Sequence, residues 1–374
     1  MRRLPVSLPP MGIAQLNLGY TNAISAATDE ATMTESGIKV VSIGGGLGAV
    51  QIMRGMQRHT DDLTGIIAVT DTGRSTGIVR EFAQIPAPGD IRNALATLAQ
   101  DDDSLLTRVM QHRISAPGDP QLDGMAFGNL FVAALTQMSG SFVKAIEQIS
   151  DFLDVRAKIF PVTEENTHIC AELVDGAIVE QEFNVRRLDK AAIKRIFVQN
   201  PEATAYPPAV EALLDADLIT IGPGSLFTTV IACLAFKDVS QAIRDSAAVK
   251  VYVCNTTTPP GQTVGFTLSD HVQQVISYLG IGVLDFVVLN SSKPSAELMA
   301  LYAREKVDVL LPSSHEFHNI LTMNVGPVLA DVADTKSGKR EMWQKQDTIR
   351  HNPELIAETL MELMGERRAF SFPK

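Results

Sequence analysis

The feature that most constrains this chain is a short apolar run, Ile38-Lys39-Val40-Val41-Ser42-Ile43, that stops at Gly44-Gly45-Gly46-Leu47-Gly48-Ala49. A helical pattern follows (Leu47, Val50, Met53, Met56), and Gly65-Ile66-Ile67-Ala68-Val69 reads as a second buried strand. Strand, glycine turn, helix and strand in that order make a βαβ unit, which commits the chain to a parallel sheet with helices on its faces. Glycines at such a turn let backbone approach a phosphate, and the helix N-terminus adds N–H groups and partial positive charge. Read as G-x-G-x-x-A, with Asp71 at the end of the second strand, the segment also fits a dinucleotide site.

The same punctuation recurs. Thr70-Asp71-Thr72-Gly73-Arg74-Ser75-Thr76-Gly77 offers a carboxylate, hydroxyls and a guanidinium where a dinucleotide fold needs only a ribose-binding acid. Arg74, Ser75 and backbone suit phosphate there, and Asp71 suits a ribose hydroxyl or a metal. Pro86 to Asn93 follows, with Gly89 for close approach, Asp90 as the expected helix N-cap, and Arg92 and Asn93 unexplained by capping. Further on, Leu218-Ile219-Thr220-Ile221 runs into Gly222-Pro223-Gly224-Ser225 and a helix from Leu226, with Ser225 as expected cap. Val251 to Cys254 ends at Asn255-Thr256-Thr257-Thr258-Pro259-Pro260-Gly261-Gln262-Thr263. In an open parallel sheet all strand C-termini share one edge, so these loops converge on one crevice.

The predicted fold class is therefore α/β, a Rossmann-like doubly wound, mostly parallel sheet. A small antiparallel hairpin excursion is expected over about 156–185, turning at Asp175-Gly176. One domain is expected over 38–364, preceded by a disordered extension 1–36 and followed by a tail 365–374. Asn129 is expected to open one long helix towards Leu153, and 352–364 a C-terminal helix.

Composition narrows the functions. A net charge of −11 argues against a general nucleic-acid partner, since backbone phosphates demand clustered Lys and Arg. No apolar run reaches the ~18–20 residues of a membrane span, so no membrane insertion and a cytoplasmic location are expected. Cys170, Cys233 and Cys254 lie far apart in apolar surroundings and read as inert core thiols. His315-Glu316-Phe317-His318 has the wrong spacing for a zinc helix, and no G-x-S-x-G elbow or P-loop occurs. No nucleophile or general base stands out. Asp71 and Asp90 are the only candidates for catalysis; Asp71 is the first candidate for a metal, with Asp90 as a second carboxylate for an ion between ligand phosphates, and Mg2+ is the only cofactor that this chemistry suggests. A homo-oligomer remains an open alternative to a monomer.

Taken in order, these segments resemble the family that contains the YvcK-type gluconeogenesis factors and the CofD-type 2-phospho-L-lactate transferases, from about Lys39 to Leu363. The YvcK branch is matched by Gly44-Gly45-Gly46-Leu47-Gly48, by Asp71 to Gly77, and by Pro88-Gly89-Asp90-Ile91-Arg92-Asn93. Phe127-Gly128-Asn129-Leu130, Gly222 to Leu226 and Val251 to Asn255 match as well. The resemblance implies a Rossmann-like fold. On the YvcK branch it implies a UDP-sugar ligand such as UDP-N-acetylglucosamine, with a regulatory role in cell shape and cell-wall precursor supply during gluconeogenic growth. On the CofD branch it implies transfer of phospholactate from a nucleotide diphosphate to a deazaflavin precursor with a divalent metal. The implied ligand set is Gly44, Gly45, Gly46, Leu47, Gly48, Asp71, Thr72, Arg74, Ser75, Gly89, Asp90, Arg92, Asn93, Asn129, Gly222, Gly224, Ser225, Asn255 and Thr256. The chain departs from the YvcK pattern at Thr72 and Arg74, which replace Asp and Gly, at Met125, and at Pro260 and Gln262. An NAD(P)-dependent oxidoreductase is the third alternative, without a catalytic His or Tyr to support it.

Overall fold

A computed structural model of the chain describes residues 37–333 and 351–370. The expected extension 1–36 lies outside the described residues. The strands are β1 Val40–Gly44, β2 Leu63–Ile67, β3 Lys158–Pro161, β4 Ile169–Leu173, β5 Ile178–Glu180, β6 Ile193–Val198, β7 Leu218–Ile221, β8 Val249–Val253, β9 Thr257–Thr258, β10 Phe286–Asn290, β11 Asp308–Val309 and β12 Gly326–Ala330. Seven of them form one sheet in the order β12-β10-β8-β7-β1-β2-β3, and every pairing in it is parallel. β1, β2, β7 and β8 are buried along their whole length. They are continuous apolar runs because helices cover both faces, as a parallel sheet requires.

From β1 the chain winds outward through β2 to β3, then returns to β7 and winds the other way. The strand order therefore reverses between β1 and β7. At such a point the two outgoing connections leave on opposite faces and open a crevice at the carboxyl edge.

The antiparallel excursion exists, with different boundaries from those expected. β3 pairs with β2 in the main sheet, and the small sheet has three strands in the order β5-β4-β6. The expected turn holds: Gly176 has φ +86 and its N–H donates to the Leu173 carbonyl. The missing strand was β6, whose exposed Lys194 and Arg195 flank buried Ile193 and Ile196. Two helices, Phe127–Ser139 and Phe142–Phe152, replace the single one expected, because Gly140 takes a left-handed conformation between them. The C-terminal helix runs Pro353–Phe370, past the expected start of a tail at 365. No single helix among the described residues is long and apolar enough to cross a membrane.

Candidate functional site

The loops after β1, β2, β7 and β8, and the turn before the helix Pro88–Leu98, touch one another in sequence. Gly222 donates its N–H to Ile43 and Ala68 donates to Gly44, so the β1, β2 and β7 ends are zipped at the edge. A Cβ on Gly46 would overlap the backbone of Asp90, and one on Gly48 would overlap the Pro223 carbonyl. A Cβ on Gly89 would overlap the Thr76 hydroxyl. Asn255 donates its amide to the Gly224 carbonyl at 2.7 Å, and the Ser225 hydroxyl donates to Gln262 at 2.6 Å. These glycines thus let loops approach each other, as expected of Gly89.

The geometry brings four helical N-termini to this rim: Gly48–Met56, Arg74–Ala83, Pro88–Leu98 and the π-turn Leu226–Val230. The π-turn forms because Val230 and Thr229 both donate to the Ser225 carbonyl and the Thr229 hydroxyl accompanies them at 2.8 Å. Such turns occur mostly where an irregular backbone serves a site. Ser225 does not cap it; that hydroxyl is committed to Gln262 and receives the Thr228 hydroxyl at 2.8 Å. Asp90 is likewise not the cap of its helix, which is Ala87, because Pro88 already occupies the first helical position. The Asp90 carboxylate instead lies in the first turn beside Gly45, where a Cβ would stand 3.0 Å from Oδ2 and 2.7 Å from the Thr229 methyl.

Individual residues divide into those facing the crevice and those beneath it. Gly45 and Gly46 are buried by neighbouring loops, and Leu47 precedes the helix half-buried. Asp71 accepts from the Gly73 N–H at 2.8 Å, and the Thr72 hydroxyl accepts from the Phe183 N–H at 3.0 Å. Arg74 is exposed and, with φ +45, adopts a left-handed backbone that non-glycine residues avoid. Asn93 and Asn255 are half-buried, Thr256 buried.

Arg92 and Asn129 join one buried network. Arg92 donates Nε to the Asn129 carbonyl oxygen at 3.0 Å and Nη1 to Gln111 at 2.7 Å, while Asn129 donates to the hydroxyls of Ser75 and Thr76. Burial lowers the Arg92 pKa to about 10, with Arg113 adding to the fall and Asp90 opposing it, so the guanidinium keeps its charge at neutral pH. This network ties the β2 loop to the helix Pro88–Leu98 from below. Arg80, also buried, ties its own helix, Arg74–Ala83, to the β3–β4 connection by donating to Asn166 at 2.7 Å and to the Thr167 carbonyl.

Sequence reasoning missed Thr228, Thr229 and His351. His351 is buried, and its Nε2 lies 3.1 Å from the Cys254 carbonyl at the end of β8; burial lowers its pKa to about 4. No motif announces a histidine nearly a hundred residues distant. All three cysteines are buried, and burial pushes Cys254 up to about 12. A separate polar cleft of about 570 Å³, lined by Glu165, Asn166, Thr167, Gln199, Asn200 and Pro201, includes none of the rim loops. Its Glu165 carboxylate is already engaged by Asn200 and Thr204.

The family profile described as 2-phospho-L-lactate transferase CofD matches residues 40–333. A putative gluconeogenesis factor of Aquifex aeolicus is 34% identical over 333 residues, covering 87% of this chain and 97% of that protein. One from Thermotoga maritima is 36% identical, covering 86% and 98%. The gluconeogenesis factor of Bacillus subtilis is 33% identical, covering 88% and 98%. A crystal structure of a UPF0052 family member from Bacillus halodurans superposes with a TM-score of 0.79 at 33% identity, covering 87% of this chain and 99% of that one. With the reversal between β1 and β7 and its rim of glycine loops, these matches show that the chain belongs to the CofD family, among the proteins named gluconeogenesis factors.

Proposed function

We propose that the crevice between the β1 and β7 loops binds a nucleotide-sugar of the UDP-N-acetylglucosamine type, and that the protein acts as a cytoplasmic regulator of the gluconeogenesis-factor kind, in cell shape and cell-wall precursor supply. One observation carries the reading: loops from distant parts of the chain meet glycine to backbone at the point of strand reversal and aim several helical N-termini there. A diphosphate is the anion that such a rim suits, because N–H donors and helix dipoles stabilise negative charge without counter-charged side chains. The polar side chains of Thr256, Asn255 and Asn93 are of the kind that suit ribose and sugar hydroxyls. Isothermal titration with UDP-N-acetylglucosamine tests the reading. Heat release and a raised melting temperature are expected; neither at millimolar ligand would refute it.

A transferase of the 2-phospho-L-lactate type is the second reading, favoured by the Asp90 carboxylate standing beside Gly45. Mg2+ is commonly held by one or two carboxylates together with substrate phosphates, and Asp71 and Asp90 fit that donor set. Bound there, the ion would neutralise charge on a leaving diphosphate. Turnover of a deazaflavin precursor with Mg2+, lost in Asp90→Asn, would favour it; an active Asp90→Asn variant would count against these ligands.

A further inference from the structure

The segment Gln181–Lys190, between β5 and β6, touches the rim at two separated loops. At one end the Phe183 N–H donates to the Thr72 hydroxyl at 3.0 Å, and a Cβ on Gly73 would stand 3.7 Å from Glu182 Oε2. At the other end a Cβ on Gly261 would stand 2.5 Å from the Arg186 carbonyl and 2.9 Å from that of Arg187, while Lys190 Nζ donates to the Gly261 carbonyl at 2.7 Å. Thr72 and Gly73 follow β2, whereas Gly261 follows β8, and in the sheet β1 and β7 lie between those strands. The segment is therefore a strap that crosses the edge where the crevice opens.

Within it, Arg186 spans the gap. Its backbone leans on Gly261, and its Nη1 donates at 3.1 Å to Glu182 Oε1, whose partner oxygen faces Gly73. The Glu182 side chain is 6% exposed and that of Arg186 38%, so the arginine side chain stays partly open to water while its counter-ion is sunk in the protein. We propose that Arg186 is a ligand-binding residue of the crevice, the strap-borne cation that meets the anionic, diphosphate-class group from above while the helical N-termini meet it from below. The idea rests on the crevice being the anion site proposed above. A planar fork suits this task because it pairs with two phosphate oxygens at once while keeping one bond to Glu182.

The test is titration of the full-length protein with UDP-N-acetylglucosamine and, separately, with inorganic pyrophosphate, using wild type, Arg186→Ala, Arg186→Lys and, as control, Lys194→Ala on β6. Expected is at least a tenfold loss of affinity in Arg186→Ala, an intermediate loss in Arg186→Lys, and wild-type affinity in Lys194→Ala. Slower amide exchange over 181–190 with ligand is expected in wild type and not in Arg186→Ala. Binding of pyrophosphate alone, with this dependence on Arg186, would uphold the strap cation and refute the nucleotide-sugar reading. Equal affinity in wild type and the folded Arg186 variants, or a wild type that takes neither probe, would overturn the inference. Should Arg186→Ala fail to fold, Arg186→Lys alone decides it.

Discussion

The floor of the crevice and its roof are built by different means. On the floor, the β1 loop, the turn at Gly89 and the β7 loop meet backbone to backbone, and the missing Cβ atoms of Gly46 and Gly48 make those meetings fit. At the roof, each hydrogen bond uses a side chain: Thr72 of the β2 loop with Phe183 of the strap, Glu182 with Arg186 inside the strap, and Lys190 of the strap with Gly261 of the β8 loop. Backbone contacts admit little change of sequence, whereas side-chain contacts can be traded one at a time. Of the departures from the YvcK pattern, Thr72 and Arg74 lie in the β2 loop and Pro260 and Gln262 in the β8 loop, while Met125 is buried just before the helix Phe127–Ser139. The lesson is that the rim's backbone frame and its exchangeable polar contacts reside in separable parts.

The sharpest way to break this comparison is Gly48→Ala against Thr72→Ala. The first drives a methyl into the Pro223 carbonyl and should cost about 4 kcal/mol in denaturant unfolding; the second removes one half-buried hydroxyl bond and should cost about 1 kcal/mol. Equal costs would mean that the floor yields as readily as the roof.

A second test concerns the support beneath the β8 loop. His351 is held neutral with its pKa lowered from 6.5 to about 4, so the unfolded chain binds a proton there before the folded one does. Stability from this group is fully present above about pH 6.5, falls as pH drops through that value, and is lost by about pH 4, a change of at most about 3 kcal/mol. Urea unfolding across that range should show the slope in wild type and a smaller one in His351→Gln.

Less costly is Asn129→Ala, which leaves the Arg92 Nε without its partner in a buried site and should cost roughly 2 kcal/mol. It should also loosen the β2 loop, read as faster amide exchange at Ser75 and Thr76. The smallest effect is expected of Arg74→Gly. A residue at φ +45 is relieved by glycine, so stability should rise by up to about 1 kcal/mol while affinity for an anionic ligand falls. A rise in affinity instead would remove Arg74 from the roof's binding surface.

Much of the floor was legible in the sequence, because a buried parallel strand ended by glycine is a strong local signal. β1, β2, β7 and β8 were each found near their true positions. What stayed hidden depends on distant partners. β12 contains Gly326 and Pro327, which read against a strand, yet it sits on the sheet edge, where pairing to β10 on one side is enough. The roles expected of Ser225 and Asp90 as caps were locally sensible; they fail because Gln262 takes the serine hydroxyl and Pro88 starts the helix earlier. The strap carries no motif at all, and only the fold places Arg186 across from Gly261.

The reversal between β1 and β7 also has a bearing on how the protein can be handled. One half of the rim is contributed by residues before β4 and the other by residues after β6, with the small sheet between them in sequence. On the function proposed above, neither half owns the complete crevice, so a truncated or partly unfolded polypeptide would offer the ligand an incomplete site. Uptake of the proposed ligand would thus report whole-domain assembly and would raise the unfolding midpoint of the intact chain.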